Sequence, residues 1–237
     1  LEFARILQPM FWNSVVSAIP GFVFDLDGVL VSTADQHFKA WKSIAQRFGV
    51  QLDAAFNEQL KGVSRKESLE LILNAAHMLA SPEQKEQWIH DKNQLYLELI
   101  ADLSEDSLLP GVLRFLDRCR STQVPMALAS ASQNALSILE RTKIISYFQV
   151  VVDGLSVTKS KPDPEVFLKA AEGLQLPPQA CIVFEDAQKG LIAAKAAGMH
   201  LVGIGSAENL QLADFVIPGF ENFLPQDIIQ WFDIHNK

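Results

Sequence analysis

From Pro20 onward, short unbroken apolar runs take turns with longer stretches whose apolar residues recur at helical spacing. The runs GFVFDL, VPMALAS, FQVVVD, ACIVFED, HLVGIG and ADFVIP read as strands. Helical patterns separate most of them, among them 110–120 and 133–142. Strand and helix in alternation predict an α/β fold, a parallel sheet with helices on its faces. Helix ends are signalled too. Asp163-Pro164 offers an N-cap followed by proline at the first helical position. Asp186 is placed to cap GLIAAKAA, and Gly198 suits the left-handed position after it.

The alternation fails between 35 and 108, where only helical patterns occur. Two of these open with capping boxes, Ser64-Arg65-Lys66-Glu67 and Ser81-Pro82-Glu83-Gln84. Helices alone between the first and second strands predict an inserted helical domain, 35–108. The core is then 21–34 with 109–237. Residues 1–20 read as a leader or an added segment outside the fold. Pro9 and Asn13 interrupt any signal-peptide apolar stretch, and Glu2 stands where positive charge is expected. No run reaches the roughly 18 to 20 apolar residues that span a bilayer, so no membrane partner is expected.

Polar residues gather where the apolar runs end. Asp25 and Asp27 end the first strand, Ser130 the second, and Glu185 and Asp186 the fourth; Lys161 lies in the loop after the third. Ligands of an open parallel sheet bind beyond the carboxyl ends of its strands, so one rim collects all of these groups. Taken singly they read as loop, turn and cap residues. Together, the four carboxylates suit a hard cation such as Mg²⁺. Ser130 and Lys161 suit phosphate oxygens, and the free aspartate is a nucleophile for phosphorus.

The insert carries a second signal. Ser64 as N-cap places Arg65 and Lys66 in the first helical turn, where positive charge opposes the helix dipole by about 0.3 to 1 kcal/mol each. A bound anion would reverse that penalty, and Lys61 is near enough in sequence to join. Thr33 and His37 share a helix face, although Thr33-Ala-Asp-Gln36 is itself a capping box and His37 alone reads as a structural histidine. Trp41 reads as helix-face packing. The net charge of −8, without a basic stripe, argues against a sequence-independent nucleic-acid binder. Cys119 and Cys181 read as buried free thiols of a reducing compartment.

The segments FDLDGVL, ASAS, KSKPDP and VFEDA, in this order, resemble the haloacid dehalogenase superfamily from Gly21 to about Phe220. The resemblance implies a Rossmann-like core with a helical cap inserted after the first strand. It implies phosphoryl transfer through an aspartyl-phosphate on Asp25, with Asp27 as general acid and base and its pKa raised. Dehalogenases of the superfamily lack the second aspartate and need no metal, which sets this chain apart from them. Within the superfamily, STADQHFKAW, FNEQLKGVSRKESL, ASASQN and KSKPDPEVF are similar to the β-phosphoglucomutase branch. Its members interconvert β-glucose 1-phosphate and glucose 6-phosphate through β-glucose 1,6-bisphosphate.

That branch implies Mg²⁺ held by Asp25, Glu185, Asp186 and the backbone carbonyl of Asp27. It places Ser130 and Lys161 on the transferring phosphoryl group. Arg65, with Lys61 beside it, Ser132 and Asn134 attend the distal phosphate. Thr33 and His37 become hinge residues linking cap closure to Asp27. Gln133 departs from the branch, which carries lysine there, so the distal site lacks one cation. The expectation is a cytoplasmic monomer whose partners are small sugar phosphates. A Mg²⁺-dependent sugar-phosphate phosphatase is the alternative, and a phosphorylatable binding module is a third reading.

Overall fold

The structure, a computed structural model, describes residues 19–60 and 63–235. Most of the expected leader, and Lys61, lie outside the described residues. The strands β1 (Gly21–Phe24), β2 (Met126–Ala129), β3 (Val150–Val152), β4 (Cys181–Glu185), β5 (His200–Ile204) and β6 (Phe215–Ile217) form one sheet in the order β3-β2-β1-β4-β5-β6. Every neighbouring pair is parallel. All the strands read from the sequence are present, and the fold is α/β and Rossmann-like.

Strand side chains alternate between two apolar layers, as the pleat requires. Phe22, Phe24, Met126, Leu128, Ile182 and Phe184 enter one; Val23, Ala127, Ala129, Cys181 and Val183 enter the other. Both layers are covered by helices, which is why the strands read as unbroken apolar runs and not as alternating ones. Helices α5 (Val112–Ser121), α6 (Ala135–Arg141) and α9 (Pro225–His235) cover the aromatic layer. There Phe24 stacks on Phe184 with centroids 4.6 Å apart, and Phe115 meets Phe220 at 4.6 Å. Helices α7 (Glu165–Leu174) and α8 (Gln188–Ala196) cover the alanine-rich layer.

Between β1 and β2 lie α1 (Ala34–Arg47), α2 (Ala54–Leu60), α3 (Arg65–Ala75) and α4 (Pro82–Leu99), with no strand among the described residues. They enclose an apolar cluster of their own, built on Trp41, Ile44, Leu69, Ile72 and Leu73. The two chain segments joining them to the sheet run side by side. Leu109 N–H donates to Leu30 O at 2.9 Å, and Val31 and Leu108 form an antiparallel bridge. Among the described residues no helix is long and apolar enough to cross a membrane.

Both capping boxes of the insert are formed, at Ser64–Glu67 and Ser81–Gln84 with Pro82 in the first turn, and Gly198 takes φ 76° after α8. Three other caps differ from expectation. Helix α7 begins one residue late, with Pro164 at the N-cap and Asp163 Oδ1 accepting from Glu165 N–H at 3.0 Å. Ala187, not Asp186, is the N-cap of α8, and Glu185 Oε1 accepts its N–H at 3.1 Å. Thr33 stands at the N-cap of α1 without capping it. In each of the last two cases a side chain suited to capping has its place elsewhere, in the site.

Candidate active site

Strand β1 lies between β2 and β4, where the strand order reverses, the position at which such sheets bind ligands. Phe24 is in register with Leu128 on one side and Phe184 on the other. Asp25 therefore emerges beside Glu185, its N–H donating to Phe184 O at 3.0 Å, with Ser130 two residues beyond Leu128. Lys161 joins them from the β3–α7 loop. Its buried Nζ donates to Asp25 Oδ1 at 2.5 Å and to Glu185 Oε2 at 2.7 Å.

Carboxylate oxygens of Asp25, Glu185 and Asp186 lie within 4.8 Å of one another. Two glycines make room for this cluster. A Cβ on Gly28, which has φ 85°, would fall 2.0 Å from Asp186 Oδ2, and a Cβ on Gly190 would fall 2.0 Å from Glu185 Cδ. One ammonium among three carboxylates leaves negative charge in excess. Burial, then the neighbouring Asp25, pushes the Glu185 carboxyl up to about 8. Burial disfavours the Lys161 ammonium, but Asp25 and Glu185 outweigh it and hold its pKa above the usual range. A crowded, all-oxygen, net anionic donor set fits a hard divalent cation.

Asp27 is not one of these three; its carboxylate lies beside Thr33 and His37 at the start of α1. The Thr33 hydroxyl, fully buried, donates to its Oδ1. His37 Nε2 lies 3.8 Å from Oδ2. Burial, then Asp25 and Asp186, pushes the Asp27 carboxyl up to about 8, the direction expected of a general acid. His37 is stacked on Tyr96 at 4.1 Å, and its Nδ1 lies 3.0 Å from Lys92 Nζ. Burial and then Lys92 hold the His37 pKa well below the usual value, so the ring is neutral. When Lys92 donates to Nδ1, the proton of the neutral ring lies on Nε2, on the side of Asp27.

Lys92 was not legible as a site residue, yet it is 2 % exposed, lines the cavity and packs its ammonium 4.5 Å from the Tyr96 ring centroid and 5.1 Å from that of Trp41. A signal existed. Ile89, Lys92, Tyr96 and Leu99 recur at helical spacing in α4, so a charge interrupts an apolar stripe. Trp41 packs as expected, although it also lines the cavity.

The cavity runs from Asp25 and Asp27 to Arg65, at the first position of α3. Arg65 is half-buried, and burial lowers its pKa. Ser130, Ser132 and Gln133 line the same cavity. Ser130 Oγ accepts from Ser132 N–H at 3.0 Å, and Ser132 Oγ from Asn134 N–H at 3.2 Å. The Asn134 side chain instead donates to Asn93 Oδ1 of α4 at 2.9 Å, which ties the rim to the insert.

Comparison with known proteins accords with this geometry. Residues 22–204 match the model of the haloacid dehalogenase-like hydrolase family. The chain is 43% identical to the β-phosphoglucomutase of Bacillus subtilis over 197 residues, 82% of this chain and 87% of that one. It is 32% identical to a phosphorylated carbohydrates phosphatase of Thermotoga maritima over 183 residues, 76% of this chain and 82% of that one. The crystal structure of β-phosphoglucomutase from Clostridium difficile superposes with a TM-score of 0.89 at 37% identity, covering 92% of this chain and 99% of that one. With its parallel sheet, its helices inserted after the first strand and its acidic rim, the chain is an enzyme that belongs to the haloacid dehalogenase-like hydrolase family.

Proposed function

We propose that the chain is a Mg²⁺-dependent β-phosphoglucomutase, interconverting β-D-glucose 1-phosphate and glucose 6-phosphate. One observation carries the reading. Two aspartates one residue apart serve one cavity in different surroundings, Asp25 beside the Lys161 ammonium and Asp27 pushed up to about 8 beside Thr33 and His37. That pairing suits a nucleophile and a general acid.

In this reading Asp25 attacks phosphorus and forms an acyl phosphate, while Asp27 gives its proton to the leaving oxygen. Asp27 then takes a proton from the hydroxyl of the sugar as that oxygen attacks phosphorus and the bond to Asp25 breaks. Between the two transfers the sugar is β-glucose 1,6-bisphosphate, turning so that either phosphate faces Asp25. Mg²⁺ held by Asp25, Glu185, Asp186 and the backbone carbonyl of Asp27 would neutralise charge on the transferring group. Ser130 and Lys161 orient that group, and Arg65, with Lys61, Lys92, Ser132 and Asn134, attends the distal phosphate. Asn134 must then exchange its bond to Asn93 for the ligand. Helices 35–108 act as a cap over the core formed by 21–34 and 109–237. Small sugar phosphates are the partners, with no nucleic acid, and the molecule is a cytoplasmic monomer.

A sugar-phosphate phosphatase is the second reading, favoured by Gln133, which brings no charge to the cavity wall, and by the Thermotoga maritima relative. The test is incubation with β-glucose 1-phosphate, Mg²⁺ and catalytic β-glucose 1,6-bisphosphate. Glucose 6-phosphate as the main product supports the mutase, and inorganic phosphate as the main product selects the phosphatase. A stable phosphoprotein without turnover rejects both in favour of a phosphorylatable module. Chelation of Mg²⁺ is expected to abolish turnover.

A further inference from the structure

A single carboxylate joins the two sides of the cavity. Glu67, in the first turn of α3, accepts from Ser64 N–H at 3.1 Å and from the Ser64 hydroxyl at 2.9 Å. It also accepts from the hydroxyl of Ser160, in the β3–α7 loop. Ser64 immediately precedes Arg65, which reaches the cavity from the insert. Ser160 immediately precedes Lys161, which reaches Asp25 and Glu185 from the sheet. The residues before both cations are thus fixed to the same anion.

The position of this bond matters as much as its partners. A second cleft runs between the insert and the β3–α7 loop, and both Glu67 and Ser160 line it. It shares Arg65, Ala131 and Gln133 with the main cavity, so it leads solvent toward Asp25 and Asp27. Asn134 also reaches across to Asn93 at 2.9 Å, and Lys189 to Gln59 O at 3.2 Å. None of their four residues lines this cleft. Burial opposes ionisation of Glu67, but its bonds to Ser160 and Ser64 outweigh that and lower its pKa, so it is an anion at neutral pH.

We infer that Glu67 is a positioning residue for the acceptor step: its bond to Ser160 clasps the insert to the β3–α7 loop across this cleft and keeps the cleft from widening, so that the phosphoryl group on Asp25 passes to a sugar hydroxyl in preference to water. The inference rests on the phosphoryl-transfer reading given above. With either acceptor, the acceptor oxygen bonds phosphorus, the bond from phosphorus to the Asp25 carboxylate breaks, and the acceptor's proton passes to Asp27. Only the identity of the acceptor depends on the clasp.

Ser160→Ala tests this, because it removes the crossing bond and leaves the capping box of α3 intact. Phosphate released per glucose 6-phosphate formed is expected to rise about five- to tenfold, within the net worth of one ordinary hydrogen bond, since this one is exposed. Single-turnover phosphorylation of Asp25 should stay within about twofold, since a clasp acts after that step. Ser160→Thr, which keeps the hydroxyl, should restore the wild-type ratio, and adding Ser160→Ala to Glu67→Ala should change nothing further. An unchanged ratio in Ser160→Ala overturns the inference. If the wild type releases only phosphate, the mutase reading fails independently, and backbone hydrogen exchange decides on the clasp. Ser160→Ala is then expected to speed exchange in 64–68, across the cleft, several-fold. Unchanged exchange there overturns it.

Discussion

The Thr33 hydroxyl donates to the Asp27 carboxylate and not to the backbone of its own helix. An N-cap threonine normally gives its oxygen to the second or third N–H of the helix. Here α1 forgoes that cap, and the helix that begins the insert is instead joined to the proposed acid. Thr33→Val keeps the shape of this fully buried side chain and removes the donor. The expected result is a loss of about tenfold in kcat, near the upper end of what one net hydrogen bond is worth. Asp27→Asn alone should lose about 10² to 10⁴ in rate. In the double variant Thr33→Val should add nothing; additive losses would show that Thr33 acts elsewhere.

Lys92 gives a prediction in protons. Burial, then the nearby Arg65, pushes its ammonium down to about 7. A phosphate bound beside it favours the charged form and raises that pKa. Above about pH 7, binding of glucose 6-phosphate should therefore be accompanied by proton uptake, read as a dependence of binding enthalpy on the buffer used. Lys92→Met should abolish this part of the uptake and weaken binding by about tenfold or more, the loss of a charge-assisted hydrogen bond. Identical uptake in wild type and variant would remove Lys92 from the phosphate site.

Gly190 reverses an ordinary rule. Replacing glycine by alanine in a helix interior usually stabilises by about 1 kcal/mol. Here the new methyl would lie 2.0 Å from Glu185 Cδ. That carboxylate cannot yield freely, being held by Lys161 at 2.7 Å and by Ala187 N–H at 3.1 Å. Overpacking of this kind costs about 1 to 3 kcal/mol, so Gly190→Ala should be net destabilising in chemical denaturation. Mg²⁺ affinity should fall with it, by about tenfold on the scale of disturbed metal ligands. Gly219→Ala, with nothing within 4 Å of the added atom, is the control and should lie within about 0.5 kcal/mol of wild type.

What the sequence made legible follows from the same geometry. Strands buried on both faces announce themselves as unbroken apolar runs, and their order placed Asp25, Ser130 and Glu185 on one rim. The capping boxes at Ser64 and Ser81 were readable because their hydrogen bonds lie within four residues of sequence. Thr33 and Asp186 were each read both as a cap and as a site residue, and the cap reading fails for a physical reason. Both have the chemistry of caps, and each is used instead by a partner distant in space, Asp27 in one case and the cluster around Gly28 in the other. The apolar stripe of α4 marks Lys92 as inward-facing, but its partner His37 lies 55 residues away and only the fold brings the two together. Nothing local in Glu67 distinguished its capping role from its bond to Ser160, 93 residues away.

Glu165 offers a prediction in acid. As the first residue of α7, its carboxylate accepts from Thr158 N–H at 3.0 Å, Thr158 Oγ1 at 2.8 Å and Lys159 N–H at 2.8 Å, and pairs with Lys169 at 2.8 Å. It thereby anchors the loop that delivers Ser160 and Lys161. Lys169, then the Thr158 and Lys159 N–H groups, holds its pKa down at about 2, against an ordinary 4.5. A carboxylate with a depressed folded-state pKa stabilises the fold above its unfolded value and loses that contribution as pH falls through the folded one. The stability gap between wild type and Glu165→Gln should therefore be full above about pH 4.5 and close as pH falls toward about 2. Denaturant midpoints measured across that window decide the matter. Parallel curves would mean that the loop is held by Lys161 and the sheet alone, whereas convergence assigns its anchoring to Glu165.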